Sequence, residues 1–141
     1  HSMNVGDLCS VFVYGTLQRG ECRDSCWPFP PRRVERARIR AQLFDLGEYP
    51  AIVVGDDWVL GECWQFVPVE MARTLSILDE IEGYSNSLDD LYRRQVVECE
   101  RLDADAEREG QAYAYFFAQP HRLLQIGRRI LPVDGVCCWP G

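Results

Sequence analysis

The chain of 141 residues contains no lysine; all fifteen basic residues are arginine. A lysine Schiff base, a lysine general base and a Walker-type phosphate loop are thereby excluded. Histidine is almost missing, with two in all. His1 and Ser2 precede Met3 and read as a tag remnant (residues 1–2), which leaves residues 3–141 as one domain. Any Ser-His-Asp or Cys-His site would then run through His121. That residue follows Pro120 at an expected helix start and reads as a surface or capping residue. A surplus of cations is missing too: the net charge is -7 and the pI about 4.8. A general nucleic-acid binder leans the other way, because phosphate neutralisation needs clustered cations. No apolar run reaches the length of a membrane helix, and Met3 to Ser10 lacks the apolar stretch of a signal peptide. The seven cysteines are therefore expected to be reduced, mostly buried thiols of a cytoplasmic protein. A second spaced cysteine pair is also lacking. Cys22 and Cys26 could open a zinc site, but Cys137 and Cys138 are adjacent, so no metal is expected.

What is present is an ordinary globular composition, 47% hydrophobic and 26% charged. Cys9–Tyr14 is a nearly continuous apolar run and reads as a strand buried on both faces. Thr16 to Pro31 reads as loop. In the next segment Ala37, Ile39, Ala41 and Leu43 alternate with Arg36, Arg38, Arg40 and Gln42, the pattern of a half-exposed strand. Gly47–Pro50 reads as a turn. Ala51–Val54 and Val59–Val67 read as two strands joined by a turn at Gly55–Asp57. Val69–Glu82, between Pro68 and Gly83, carries the start and stop signals of a helix. Tyr92–Glu100 and Gln111–Ala118 read as strands around a charged turn, Asp103–Glu109. A short helix is expected over Pro120 to Arg128, and a loop-like tail from Leu131. Strands, one helix, then more strands without βα alternation predict an α+β domain: a mixed, barrel-like sheet with one main helix packed against it.

Two features carry chemistry. On a helical projection Met71, Leu75 and Leu78 fall within roughly 60° of one another. Glu82 falls in the same arc, Glu80 opposite it and Asp79 at its edge. Burial and the negative end of the helix dipole would both raise the pKa of Glu82, the tuning a general acid/base needs. The same residue ends the helix, where fraying would turn it into water. The second feature is Tyr14-Gly15-Thr16-Leu17, a buried strand ending in a glycine turn. Such a turn can aim successive backbone N–H groups at an anion or a carbonyl oxygen, although most strand-glycine turns are only turns.

The combination resembles the γ-glutamylcyclotransferase-like superfamily over most of the chain, from Val11 to about Ala118. Val11–Leu17 (VFVYGTL) is similar to its opening strand and loop, and Leu46–Val53 (LGEYPAIV) to its glycine-tyrosine-proline segment. Val59–Val67, Tyr92–Val97 (YRRQVV) and Gln111–Tyr115 (QAYAY) are similar to its later strands. Leu78–Tyr84 (LDEIEGY) is similar to the segment that carries the family's catalytic glutamate, which falls on Glu82. The Thr-Leu ending of the loop is closer to the γ-glutamylamine cyclotransferase branch. The resemblance implies a small-molecule L-γ-glutamyl amide as substrate and 5-oxoproline plus a free amine as products. It implies Glu82 as acid/base and Tyr14, Gly15, Thr16, Leu17, Tyr92 and Tyr115 as substrate-binding residues. No cofactor is implied. The loop after Leu17 (QRGECRDSCW) and the cysteine- and tryptophan-rich tail match nothing in that pattern.

Other arrangements compete. Arg32, Arg33, Arg36, Arg38 and Arg40 suit either a solvated sheet face or a polyanion site, and the acidic whole disfavours the latter. Glu62 shares a strand face with Leu60, Trp64 and Phe66 and is the second candidate acid; Glu98 is a third. A non-catalytic module that keeps the pocket and binds without cleaving is the alternative to an enzyme. Oligomeric state and the amine half of the substrate are not legible.

Overall fold

The computed structural model describes residues 8–85, 87, 90–102 and 109–139. Seven strands form one sheet in the order β6-β2-β4-β5-β1-β3-β7, and an added β2–β3 pairing closes the middle five into a barrel. The strands are β1 (Ser10–Val13), β2 (Arg33–Asp45), β3 (Pro50–Gln65), β4 (Tyr92–Arg101), β5 (Glu109–Phe117), β6 (Arg128–Ile130) and β7 (Val136–Cys137). The helices are α1 (Pro68–Glu82) and α2 (Pro120–Ile126). The β1–β5 and β3–β7 pairs are parallel and the rest antiparallel. No described helix is long and apolar enough to cross a membrane. Except for Glu109, the charged turn expected over Asp103–Glu109 lies outside the described residues.

The period-two pattern of the sequence divides the core in two. Phe12, Ile39, Leu43, Ile52, Val59 and Phe116 belong to one buried cluster, together with Ala37, Ala41, Ala112 and Ala114. Their alternate neighbours, among them Val11, Val13, Tyr113, Tyr115 and Phe117, pack in a second cluster with Met71 and Leu78 of α1. The first fills the barrel, where alanines leave room for the larger side chains; the second seals the helix to its outer wall. Burying a leucine such as Leu78, with no exposed surface, contributes roughly 1.5–3 kcal/mol. Thr74, rather than Leu75, completes the buried stripe of α1. Its hydroxyl donates to the Glu70 carbonyl at 2.9 Å, so burial leaves no polar group unpaired.

Two expected features differ. Gly55–Asp57 does not turn the chain; β3 runs through it as one strand of 16 residues. Ala41 pairs with Asp57 but Gln42 pairs with Val53, so residues 54–56 bulge out of the ladder. A Cβ on Gly55 would lie 2.4 Å from Gln42 Cγ, so the bulge needs a glycine where the two strands come close. The tail is not all loop either. β7 adds in parallel to β3 through Trp58↔Val136 and Val59↔Cys137, and Cys137 is buried against the barrel.

Of the arginine patch, Arg38 and Arg40 lie over the Trp58 ring at 3.9 and 3.7 Å. Arg38 also pairs with Glu100 at 2.9 Å. A ring and a carboxylate thus engage the pair on the sheet surface, while among the described residues the buried Nε of Arg38 has no hydrogen-bond partner.

Candidate active site

The end of α1 decides where Glu82 points. Gly83 adopts the left-handed conformation (φ 69°, ψ 38°). Its N–H bonds to the Glu80 carbonyl at 3.4 Å, and the Tyr84 N–H to the Asp79 carbonyl at 2.8 Å. This pair of bonds is the Schellman closure, and it satisfies carbonyls that would otherwise be left open at the helix end. The last turn therefore does not fray. Glu82 stays on the same face as Leu78 and is half-buried. Desolvation pushes its carboxyl up to about 7, against the opposing positive charge of Arg23.

Glu82 lines a cavity of about 270 Å³ together with Tyr14, Gly15, Thr16, Leu17, Tyr92 and Tyr115. All seven residues singled out from the sequence thus meet in one hollow. The loop after β1 presents its amides there. The carbonyls of Gly15, Thr16 and Leu17 are taken up by the loop itself: Gln18 N–H donates to the first at 3.1 Å and Arg23 N–H to the second at 2.8 Å. Trp27 Nε1 donates to the third at 3.1 Å. Among the described residues, no loop or turn hydrogen bond uses the N–H groups of the three. Three consecutive amides with committed carbonyls and uncommitted N–H groups are ready donors to an oxyanion or carboxylate. Gly15 is required by packing: a Cβ there would lie 2.6 Å from Pro50 Cγ. Gly15→Ala should lower stability by about 1–3 kcal/mol, read as a shifted urea midpoint. An unchanged midpoint would show that the Pro50 ring gives way.

The tyrosines have their protons assigned. Tyr14 donates to the Tyr115 carbonyl at 2.8 Å, Tyr92 to the Pro50 carbonyl at 2.9 Å, and Tyr115 to Asp79 Oδ1 at 2.6 Å. With the protons so used, the three hydroxyl oxygens have only acceptor capacity left, which suits an ammonium group. Burial raises all three pKa values, and the charge of Glu82 adds to the rise in each. All three remain neutral phenols. Asp79, at the edge of the helical arc, is held in turn by Arg94 at 2.6 Å. It orients Tyr115 from one helical turn before Glu82, the i, i+3 spacing being the signal that could have identified it.

Glu62 does not line the cavity. Its carboxylate accepts from the Arg19 N–H at 2.8 Å, Arg19 Nε at 2.8 Å and Trp64 Nε1 at 3.1 Å. It is a clamp for the cavity loop, which is fastened again where Trp27 stacks on Trp64 with centroids 4.4 Å apart. Glu62→Ala should raise KM by about tenfold, since a buried charged acceptor is lost and the amides loosen. The pH profile should not move; a displaced profile would make Glu62 an acid/base itself. Glu98 accepts from Gln111 at the surface, 3.2 Å away. His121 is exposed, as are Cys22 and Cys26 on the loop.

Arg23, Tyr49 and Pro50 also line the cavity and were not singled out from the sequence. Tyr49 and Pro50 sit in the similar glycine-tyrosine-proline segment. Arg23 lies in a loop with no hydrophobic period, where spacing carries no signal.

Comparison with known proteins agrees with this architecture. The family model described as "Gamma-glutamyl cyclotransferase, AIG2-like" matches residues 11–131. The gamma-L-glutamyl-butirosin B gamma-glutamyl cyclotransferase of Niallia circulans is 31% identical over 107 residues, 75% of this chain and 66% of that protein's length. A solved Arabidopsis thaliana protein superposes with a TM-score of 0.63 at 24% identity, covering 99% of this chain and 82% of its own. An AIG2-like protein from Mus musculus superposes at 0.58 with 18% identity, covering 79% and 78%. The structures share the fold, and the match over residues 11–131 places the chain in the AIG2-like γ-glutamyl cyclotransferase family.

Proposed function

We propose that the protein cleaves an L-γ-glutamyl amide by ring closure, releasing 5-oxoproline and a free amine. The observation that carries this is a carboxyl held near 7 in the same cavity as three uncommitted backbone amides. The substrate's α-amine must lose a proton before it can attack, and an α-ammonium is mostly protonated at pH 7. A Glu82 carboxylate with a pKa of about 7 takes that proton at lower cost than a carboxylate at its ordinary 4.5 would. The neutral amine attacks the γ-carbonyl carbon and a tetrahedral centre forms. Its oxyanion, or the glutamyl carboxylate beside it, is held by the N–H groups of Gly15, Thr16 and Leu17. The bond from that γ-carbonyl carbon to the amide nitrogen then breaks, and protonated Glu82 protonates the departing nitrogen. Two protons pass in all from the α-nitrogen to the leaving amine, one at a time through one carboxyl.

The acceptor oxygens of Tyr14, Tyr92 and Tyr115 suit the α-ammonium before it is deprotonated. Much of the rate comes from holding a flexible chain in its ring-closing shape. An assay of 5-oxoproline release across a panel of γ-glutamyl amines tests the proposal. Saturable binding of those amides with no 5-oxoproline formed would replace the enzyme with a binding module.

A further inference from the structure

Substrate turnover by ring closure involves two negative groups: a full α-carboxylate and an oxyanion that exists only during reaction. The cavity offers two devices for them. The N–H groups of residues 15–17 are neutral and rigidly held. Arg23 is a guanidinium on the far side of the same loop, half-buried and lining the same hollow. Among the described residues it forms no ion pair and no side-chain hydrogen bond. Arg23 and Glu82 line the one cavity without forming an ion pair with each other. A cation and an anion kept apart across a hollow complement a zwitterion: ammonium toward Glu82, carboxylate toward Arg23. In an L-γ-glutamyl group those two charges sit on adjacent atoms of the α-carbon, while the γ-carbonyl lies three bonds further on.

We propose that Arg23 binds the α-carboxylate of the γ-glutamyl group, which leaves the backbone amides of Gly15, Thr16 and Leu17 to the oxyanion. The inference rests on the cyclotransferase reading above and divides its one ambiguous role between two parts of the loop. A guanidinium suits a ground-state carboxylate because it meets both oxygens at once. Fixed amides suit the oxyanion because their stabilisation is realised only as charge develops. Arg23 is presented by a loop that does not depend on its side chain. Its backbone N–H bonds to Thr16 at 2.8 Å whatever the residue, and Glu62 and Trp64 fasten the loop on either side through Arg19 and Trp27.

The test compares the wild type with Arg23→Gln and Arg23→Lys, each first checked for an unchanged melting temperature. Binding of 5-oxoproline and of 2-pyrrolidinone, the same lactam without its carboxylate, is measured by calorimetry. The wild type should prefer 5-oxoproline, and Arg23→Gln should reduce that preference by about tenfold to a hundredfold. Arg23→Lys should restore part of it, as a point charge without the planar fork. In turnover, Arg23→Gln should raise KM equally for L-γ-glutamylglycine and L-γ-glutamylethylamide, whose leaving amines differ in carrying a carboxylate. Its pH profile should shift upward, because the positive charge that holds Glu82 down is gone. An unchanged 5-oxoproline preference would overturn the proposal. A KM rise confined to the glycine substrate would overturn it too, by placing Arg23 against the leaving amine. The ring-closing reading is judged separately, by whether the wild type makes 5-oxoproline at all.

Discussion

Glu82→Gln should lower 5-oxoproline release by about a hundredfold to ten-thousandfold while substrate affinity stays within a fewfold of wild type. The amide is close to isosteric with the carboxyl and cannot carry a proton between two nitrogens. The surrounding acceptors, the hydroxyl oxygens of Tyr14, Tyr92 and Tyr115, remain in place because each is fixed by a bond to another group. The substitution leaves Arg23 and the loop amides untouched, so the loss should fall on kcat rather than KM. Among the described residues no other group lining the cavity can take over. Glu80 also lines it but is exposed, on the opposite side of the last turn. Asp79 is occupied by Arg94 and Tyr115 at 2.6 Å each. Release in single-turnover assays at saturating substrate would measure the step directly. Near-wild-type release from this variant would remove the acid/base role from Glu82.

The core of that site was legible because it rests on short-range rules. Gly83 after a helical period announces a capped helix end, and capping is what turns Glu82 from a fraying residue into a fixed one. The run Val11–Leu17 announces a buried strand and a glycine turn. Neither rule says that the two ends meet. That follows from the β1–β5 and β1–β3 pairings, which are contacts distant in sequence, and the family resemblance supplied the expectation. Elsewhere local signals misled. Gly55-Asp56-Asp57 has the composition of a turn, yet the long β2–β3 ladder keeps the strands paired on both sides and absorbs the extra residues as a bulge. Val136 and Cys137 lack any strand pattern and are recruited only because β3 has an unpaired edge. Glu62 alternated with apolar residues and so looked like a pocket acid. Its carboxylate is instead consumed by Arg19 and Trp64, one of them from a loop whose path no periodicity records. Arg23 was invisible for the same reason.

The second large effect concerns stability. A carboxyl moved from 4.5 in the unfolded chain to about 7 in the fold means that, between those values, the folded state holds a proton the unfolded state has lost. Stability from this group therefore falls as pH rises through the window and levels off above it. The ceiling is roughly 3 kcal/mol, lower to the extent that water reaches the half-buried carboxylate. Glutamine has no charge to desolvate. Glu82→Gln should thus match the wild type near pH 4 and exceed it progressively up to pH 8, as read from urea unfolding of both proteins across the series. Taking the difference between the two proteins removes the contributions of every other titrating group. Parallel curves would mean that Glu82 is solvated and its carboxyl ordinary. The opposite trend, with the variant losing ground as pH rises, would mean that Arg23 outweighs burial. The expected sign ties function to cost: the ionised form that accepts the substrate's proton is the form the fold tolerates least.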